Sequence, residues 1–165
     1  MMVGIIGLGS VGTAARQTLE SHFDIRVYDI DGRGDLEEII HSDVVLICVS
    51  TDGDDSGTLD MSNVVSVSAE LDKHNFDGLV IIKSTIQPGT IDYIESTYPD
   101  LRVSYVPEFL REKDALEWFA NPDRIVYSCK SVDENLLLSV FVWVDDTIPR
   151  LRMSNLEAEY GKLAH

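Results

Sequence analysis

A glycine-rich turn between a short apolar run and a helical segment constrains the fold of this chain more than any other feature. Residues Val3–Ile6 form the apolar run, and glycines follow it at once in G-x-G-x-x-G spacing. In that context Gly7 allows a tight turn, Gly9 lets the backbone approach a pyrophosphate, and Gly12 lets the helix pack closely on the strand. The helix N-terminus offers free amide hydrogens and partial positive charge to phosphates. The pattern predicts a dinucleotide-binding site at Gly7, Gly9, Ser10, Val11 and Gly12.

An acidic residue follows the second apolar run. Asp29 stands at about the ~20-residue interval expected for the carboxylate that binds the adenosine ribose hydroxyls. A carboxylate there repels a 2′-phosphate, so the sequence predicts NAD rather than NADP as the cofactor. Asp31 is either a solvent-facing neighbour of this acid or a substitute for it.

Short β-branched runs alternate with longer helix-like segments along the whole chain, which is typical of βαβ units around a parallel sheet. The predicted strands are Val3–Ile6, Ile25–Tyr28, Val44–Val49, Leu79–Lys83, Arg102–Tyr105, Arg124–Tyr127 and Ile148–Arg152. The predicted helices are Val11–Ser21, Asp35–His41, Met61–His74, Thr90–Thr97 and Val132–Val142. We therefore expect an α/β fold: a Rossmann-type, doubly wound, mainly parallel sheet with helices on both faces.

Two S-x-x-E sequences predict helix starts by reciprocal capping, namely Ser131 with Glu134 and Ser154 with Glu157. The second opens a helix close to the end of the sequence. We therefore divide the chain into a dinucleotide-binding domain, residues 1–153, and the start of a further helix, residues 154–165.

The charge balance limits the partners of the protein. The 165 residues carry 13 Lys and Arg against 29 Asp and Glu, a formal net charge of −16. The field of such a surface repels phosphates, so we expect neither nucleic acid nor an anionic membrane as a partner. The sequence has neither a signal-peptide pattern nor an apolar stretch approaching the ~20 residues that span a bilayer. We expect a cytoplasmic protein.

Metal and thiol chemistry have little support in the sequence. Cys48 and Cys129 lie in or at the end of apolar runs and lack C-x-x-C spacing, so we interpret them as structural thiols. The loop from Asp52 to Gly57 begins like a calcium loop, but Asn63 stands where the bidentate glutamate belongs, which favours an acidic surface loop. The sequence shows neither a catalytic-triad pattern nor a metal-binding pattern around its histidines, so we predict no metal site. The histidines are His22, His41, His74 and His165.

Five later segments, taken together and in order, narrow the family. They include an S-T-x-x-P-G-T turn, a P-E-F-L-R-E segment, a P-D-R segment and an A-E-x-x-K segment. The series resembles the UDP-glucose/GDP-mannose dehydrogenase family over essentially the whole chain. The segments are Leu46–Thr51, Lys83–Thr90, Pro107–Glu112, Asn121–Arg124 and Glu157–Ala164.

The resemblance implies an activity and a set of roles. The family oxidises the C6 alcohol of a nucleotide sugar to a carboxylate by two hydride transfers to NAD, with a cysteine thiohemiacetal between them. By motif position, the implied catalytic residues are Thr85, Glu108, Glu112 and Lys162. The implied further cofactor contacts are Arg33, Val49, Ser50, Thr51, Ser84, Thr85 and Glu112. The implied substrate contacts are Glu108, Phe109, Leu110, Arg111 and Lys162.

Each of these residues also has a purely structural interpretation. Thr85 could simply cap the turn before Pro88, and Lys162 could be an ordinary surface lysine. From their spacing alone, Glu108 and Glu112 would lie on one solvent-exposed face of a helix. Arg124 could be an ion-pair partner at the start of a strand.

Some positions depart from the family pattern. Ser50 replaces a proline, Lys113 replaces a glycine, and the basic residue expected after the ribose acid is displaced, with Arg33 beside Gly34. The family's G-F-G-G-x-C-x-P-K-D segment, which carries the nucleophilic cysteine, is absent from the sequence. We therefore expect either an excised first domain or a small relative that needs central and C-terminal domains from a partner chain, with a homodimer as a further option.

Three functions remain open at this stage. The leading hypothesis is the NAD-binding part of a nucleotide-sugar 6-dehydrogenase, with UDP-glucose ahead of GDP-mannose and UDP-N-acetylmannosamine as substrate. The second is a non-catalytic NAD-binding or assembly module, which the absent cysteine favours. The third is a Rossmann dehydrogenase of β-hydroxyacids, which leaves the P-E-F-L-R-E segment unexplained.

Overall fold

The computed structural model describes residues 1–164; His165, one of the four histidines considered above, lies outside the described residues. Strands and helices alternate along the chain, as the sequence pattern predicts. The strands are β1 (Met2–Ile6), β2 (Asp24–Tyr28), β3 (Val44–Ile47), β4 (Leu79–Ile82), β5 (Arg102–Tyr105), β6 (Ile125–Tyr127) and β7 (Arg150–Arg152). The helices are α1 (Ser10–Leu19), α2 (Leu36–Ile39), α3 (Ser62–Lys73), α4 (Thr90–Thr97), α5 (Ala115–Ala120), α6 (Glu134–Ser139) and α7 (Asn155–Ala164).

Five strands form the central sheet of the described chain, in the order β2-β1-β3-β4-β5, and all of them are parallel. Val3 of β1 pairs with Ile25 on one side and with Val44 on the other. From β1 the chain first moves outward to β2 and then crosses to β3 on the other side. The winding direction therefore reverses between β1 and β3, which creates a crevice at the carboxyl ends of these strands.

Helices cover both faces of the sheet, which confirms the predicted α/β architecture. On one face Ala14, Ala15 and Leu19 of α1 pack against alternate residues of the strands together with α5 and α6. On the other face α2, α3, α4 and α7 pack against the remaining strand residues, and Ala158 of α7 is among the buried ones. Because both faces are covered, β3 and β4 are buried at every position, and apolar side chains fill them without alternation.

Strands β6 and β7 form a separate parallel pair that joins the edge of the main sheet. Tyr105 of β5 and Ser128, which follows β6, exchange two backbone hydrogen bonds of 2.9 Å in an antiparallel bridge. The sheet is thus mainly parallel, and this antiparallel bridge joins its β5 edge to the second strand pair.

The predicted helix over Val132–Val142 is only partly correct. A 3₁₀ turn at Ser131–Asp133 precedes α6, and no capping box forms at Ser131. The Glu134 carboxylate instead accepts a hydrogen bond of 2.6 Å from the Tyr127 hydroxyl and pairs with Arg152 at 3.4 Å. The prediction failed because contacts with β6 and β7 compete with the local cap.

The second predicted capping box is confirmed. The Ser154 amide donates to Glu157 at 3.1 Å and the Glu157 amide donates to the Ser154 hydroxyl at 3.2 Å, so α7 begins where the spacing indicates. Helix α5, in contrast, had no counterpart among the predicted helices. Its six residues bury only Ala115 and Phe119, which is too short a pattern for helical periodicity to stand out.

Candidate functional site: a cleft at the carboxyl edge of the sheet

The glycine turn has the geometry that its spacing predicts. Gly7 has a φ of +94°, and a Cβ there would lie 2.6 Å from the Cys48 carbonyl oxygen. A Cβ at Gly12 would lie 1.7 Å from the Gly7 carbonyl oxygen, so the start of α1 lies directly against the turn. A Cβ at Gly9 would meet nothing within 4 Å. Gly7 and Gly12 are therefore required for packing, whereas Gly9 leaves its backbone open to the space in front of α1.

That space is a cleft of roughly 850 Å³ at the carboxyl ends of β1, β3 and β4. It lies at the point where the winding of the sheet reverses, the usual ligand position in open α/β sheets. Most of the side chains predicted as site residues line it. They are Gly7, Gly9, Ser10, Val11, Asp29, Val49, Ser50, Thr51, Ser84, Thr85, Glu108, Leu110, Glu112 and Lys162.

Four predicted site residues do not line the cleft. Gly12 is buried beneath the turn, and Arg33 lies outside with its guanidinium 2.8 Å from Asp31. The hydrogen bond between them lowers the pKa of Asp31 and raises that of Arg33. Phe109 lies beneath the lysine of α7, and Arg111 is exposed.

Asp29 is held at the end of β2 by the backbone of the glycine turn. Its carboxylate accepts a 2.7 Å hydrogen bond from the Leu8 amide and one of 3.1 Å from the Asp31 amide. The side chain is 18% exposed and borders the cleft. Each carboxylate oxygen has a second lone pair, so Asp29 is able to accept further hydrogen bonds from ribose hydroxyls.

Lys83, which sequence reasoning did not select, lies under the floor of the cleft. It follows β4, its side chain is 1% exposed, and its ammonium pairs with the Glu108 carboxylate. The ammonium also donates to the Val106 carbonyl at 3.1 Å and lies 5.4 and 5.3 Å from the ring centroids of Phe119 and Phe141. The sequence indicated this position only by a lysine at the end of an apolar strand. That pattern does not distinguish a buried lysine from an exposed one.

Lys162 reaches the cleft from α7. Its ammonium lies 5.5 Å from the Phe109 ring centroid, and the guanidinium of Arg124 lies 4.5 Å from that same centroid. Burial lowers the pKa of Lys162, while the nearby negative charge of Glu108 opposes this shift. Lys162 is therefore not an ordinary surface lysine, and Glu108 lies near two ammonium groups.

The segment that carries Glu112 closes over the glycine turn. The Ser10 hydroxyl donates a 3.1 Å hydrogen bond to the Glu112 carboxylate, although the two residues are far apart in sequence. Glu112 starts a 3₁₀ turn that ends at Asp114, rather than a solvated helical face shared with Glu108. The contact brings the predicted substrate side of the cleft next to the predicted phosphate side.

The loops after β3 and β4 are tied together. The Thr51 hydroxyl donates to the Thr85 carbonyl at 2.6 Å, and the Ser84 hydroxyl donates to the Val49 carbonyl at 2.7 Å. These bonds place Thr85 on the wall of the cleft, close to the end of β4. The apolar side chains of Ile30, Leu36 and Val67 also line the cleft and were missed by sequence reasoning. Ile30 is 94% exposed beside Asp29, which distinguishes it from the buried apolar residues of the strands.

The cysteines are structural in character. Burial raises the pKa of Cys48 to about 12, while the positive charge of Lys83 lowers this pKa and the negative charge of Glu108 raises it. The thiol is therefore protonated at neutral pH. Burial also raises the pKa of the half-buried Cys129.

Residues 1–164 provide neither a metal-binding cluster nor a membrane-spanning helix. They contain no group of three or more His, Cys, Asp or Glu side chains placed to hold a metal ion. They also contain no helix with the length and apolar character needed to cross a membrane. In the acidic loop, Asp54 accepts hydrogen bonds from the amides of Ser56 and Thr58, which is the geometry of a turn.

Comparison with known proteins gives a consistent result. The sequence profile of the NAD binding domain of the UDP-glucose/GDP-mannose dehydrogenase family matches residues 32–141, about two thirds of the chain. A UDP-glucose 6-dehydrogenase of Rickettsia bellii is 33% identical over 126 residues, which is 73% of this chain and 29% of that protein.

Two solved structures have a similar fold over almost the whole chain. A UDP-glucose dehydrogenase of Pyrobaculum islandicum has a TM-score of 0.84 at 27% identity, over 99% of this chain and 48% of the other. A GDP-mannose dehydrogenase of Pseudomonas aeruginosa has a TM-score of 0.84 at 23% identity, over 99% of this chain and 49% of the other. The chain thus spans less than a third of the Rickettsia protein and about half of each solved chain.

Proposed function

The chain belongs to the UDP-glucose/GDP-mannose dehydrogenase family, and on this premise we propose that it serves as the NAD-binding part of a nucleotide-sugar 6-dehydrogenase. The proposed substrate is UDP-glucose or a related UDP or GDP sugar. The observation that carries the proposal is the joint position of the open Gly9 backbone and the Asp29 carboxylate in one cleft.

The residues of the cleft fit NAD. The absence of neighbours around the Gly9 Cβ position leaves room for a pyrophosphate at the N-terminus of α1, where unpaired amides and the helix dipole favour an anion. Asp29 would accept hydrogen bonds from the adenosine ribose, and Ile30, Leu36 and Val67 would contact the adenine. NAD bound there would supply the hydride acceptor for oxidation of an alcohol.

The catalytic roles are proposed for side chains at the other end of the cleft. Glu108, fixed by Lys83, would orient a water molecule or take up a proton. Lys162 would stabilise negative charge on the reacting sugar oxygen, because a fixed ammonium in a partly buried site interacts strongly with developing charge. Thr85 and Glu112, which both line the cleft, would contact the nicotinamide half of the cofactor.

The sugar-nucleotide side of the site is proposed to include Phe109, Leu110 and Arg111. The proposed oxidation to the carboxylate also requires a nucleophilic cysteine, which the buried thiol of Cys48 does not supply. We therefore propose that another domain or a partner chain contributes this cysteine.

A matched pair of glycine substitutions tests NAD binding. Gly9→Ala and Gly161→Ala both add a methyl group where nothing lies within 4 Å, and neither glycine has a positive φ. Both variants should therefore fold, but only Gly9→Ala places its methyl group where the pyrophosphate would lie. Calorimetric titration with NAD should show at least a tenfold loss of affinity in Gly9→Ala and wild-type affinity in Gly161→Ala. Equal affinity in the two variants would rule out the proposed phosphate position.

The catalytic role is tested by complementation. The chain is mixed with the remaining domains of a related UDP-glucose dehydrogenase, and NADH absorbance is followed with UDP-glucose, GDP-mannose and UDP-N-acetylmannosamine in turn. NADH formation with any of these sugars would support the proposed catalytic role of this chain. NAD binding without NADH formation from any of them would favour a non-catalytic module.

A further inference from the structure

Glu159 is a carboxylate that lies entirely inside the protein, outside the catalytic residues proposed above. It belongs to α7, and its side chain is fully buried. Its two oxygens accept backbone hydrogen bonds at the start of α4, at 2.8 Å from the Gly89 amide and 3.0 Å from the Ile91 amide. A side chain of one helix thus caps the N-terminus of another helix far away in the sequence.

Burial of this carboxylate is compensated by its partners. Burial raises the pKa of Glu159, and the hydrogen bonds from the Ile91 and Gly89 amides act in the opposite direction. The first-turn amides of α4 and the positive end of its dipole stabilise a negative charge at this point. The contact therefore joins α7 to α4 at a defined position along both helices.

A second contact fixes the orientation of α7. The Asn155 side-chain amide donates a 2.9 Å hydrogen bond to the Asp92 carboxylate on α4, and Ala158 packs into the core. With Glu159, these contacts hold the first turns of α7 against α4.

Lys162 follows Glu159 by three residues, so the two side chains project from neighbouring positions on the same helix surface. The Lys162 ammonium enters the cleft over the Phe109 ring. Gly89, the partner of Glu159, also ends the loop that begins at the end of β4 and carries Thr85. A single carboxylate is thus connected to both the helix of Lys162 and the loop of Thr85.

We propose that Glu159 is a positioning residue that holds the Lys162 ammonium in the cleft. The catalytic value of that position rests on the proposed function, but the position itself is measurable without cofactor or substrate. If the Glu159 contact is lost, α7 is expected to move relative to α4, and Lys162 is expected to leave the Phe109 ring.

The position of Lys162 can be measured by NMR of the full chain after ¹³C reductive methylation of its lysines. The chain has five lysines, and the signal of Lys162 is identified by its loss in Lys162→Arg. A ring beneath the ammonium shifts this signal upfield of the exposed Lys73, Lys113 and Lys130. Phe109→Leu removes the ring and verifies the cause of the shift.

The test compares Glu159→Gln with Glu157→Gln. Both remove one negative charge from the first turns of α7, but Glu157 is exposed and glutamine preserves its capping role. We expect the Lys162 signal to lose more than half of its upfield shift in Glu159→Gln and to stay unchanged in Glu157→Gln. An unchanged signal in a folded Glu159→Gln protein would overturn the proposal.

A second variant covers the case in which Glu159→Gln does not fold. Glu159→Asp keeps the charge but shortens the side chain, so it no longer reaches both amides. The Lys162 signal should then move toward that of the exposed lysines, and a wild-type position would again overturn the proposal. NAD titration of the same proteins distinguishes the positioning role of Glu159 from the proposed NAD-binding function. If NAD does not bind the wild-type protein, only the proposed function is refuted.

Discussion

The ammonium of Lys83 and the carboxylate of Glu108 form an ion pair beneath the cleft, and only the carboxylate reaches the cleft surface to any extent. The Lys83 side chain is 1% exposed, and that of Glu108 is 16% exposed. A buried ammonium is tolerated only when its charge and its protons have partners, which Glu108 and the Val106 carbonyl provide. The pair therefore links the floor of the cleft to a residue proposed to act on substrate.

Loss of the Lys83 charge should destabilise the fold. Lys83→Met keeps the length of the side chain but leaves the Glu108 carboxylate without its partner. Breaking a buried pair in this way costs about 3–5 kcal/mol. Urea unfolding should show a loss of this size, whereas Lys73→Met, at an exposed position, should change the free energy of unfolding by less than about 0.5 kcal/mol.

The double variant Lys83→Met/Glu108→Gln provides the internal check. It removes both charges, so most of the lost stability should return. A double variant that is no more stable than Lys83→Met would show that packing rather than charge pairing sets the cost.

Asp29→Asn should weaken NAD binding and reduce the preference for NAD over NADP. The asparagine has one acceptor oxygen instead of two and does not repel a 2′-phosphate. Hydrogen bonds to a charged group contribute about 1.5–3 kcal/mol, so calorimetry should show at least a tenfold loss of NAD affinity. Asp35→Asn has the same change of charge, and asparagine caps α2 as well as aspartate does, so this control should bind NAD normally. Unaltered binding in Asp29→Asn would place the ribose elsewhere.

Alkaline pH should destabilise the protein partly through Cys48. The thiol keeps its proton to about pH 12 in the folded state, whereas the unfolded chain releases it near pH 9. Between these values the folded state binds more protons, so stability falls as pH rises through this window. Urea unfolding at pH 8 and pH 10.5 should show about 1–2 kcal/mol more loss in the wild type than in Cys48→Ala. Equal losses in both proteins would indicate that Cys48 is accessible to solvent.

Gly161→Ala should stabilise the protein. Gly161 lies inside α7, nothing surrounds its Cβ position within 4 Å, and its φ is negative. Alanine in place of glycine within a helix contributes about 0.5–1 kcal/mol, which thermal unfolding resolves. Gly12→Ala provides the contrast: its methyl group would overlap the Gly7 carbonyl, so this variant should unfold at a much lower temperature. A neutral effect of Gly12→Ala would contradict the close packing of α1 on the turn.

The acidic surface should make NAD binding stronger as salt increases from a low level. The net charge of −16 repels an anionic cofactor at long range, and the screening length falls from about 30 Å at 0.01 M salt to about 8 Å at 0.15 M. Calorimetric titration should show affinity rising several-fold over this interval. A steady fall in affinity with salt would mean that nearby cations such as Lys162 dominate the interaction.

Local patterns were sufficient to predict several parts of this protein. The glycine turn, Asp29, the buried runs that became β3 and β4, and the cap of α7 all depend on residues close together in sequence. Their sequence signals, which are the glycine spacing, continuous apolar runs and the S-x-x-E spacing, each extend over only a few residues. For that reason they were visible without coordinates.

Prediction failed where a distant contact decides the outcome. The cap predicted at Ser131 is absent because Glu134 binds Tyr127 and Arg152 instead. Lys83 and Glu159 have no local signal that marks them as buried, because the groups that compensate their charges come from other elements. The cofactor contact predicted for Arg33 stays a prediction: its guanidinium pairs with Asp31 at 2.8 Å and lies 3.9 Å from the Asp29 carboxylate at the border of the cleft.

The amino-acid sequence by itself determined most of the strands and helices, the glycine turn and the position of Asp29 directly after β2. These follow from short-range sterics, from the spacing of the glycines and from continuous runs of apolar residues. Tertiary structure decided the strand order, the burial of Lys83 and the meeting of Ser10 with Glu112 in one cleft. Such features depend on chain segments that approach only after folding, because a buried charge is stable only where distant groups supply its partners.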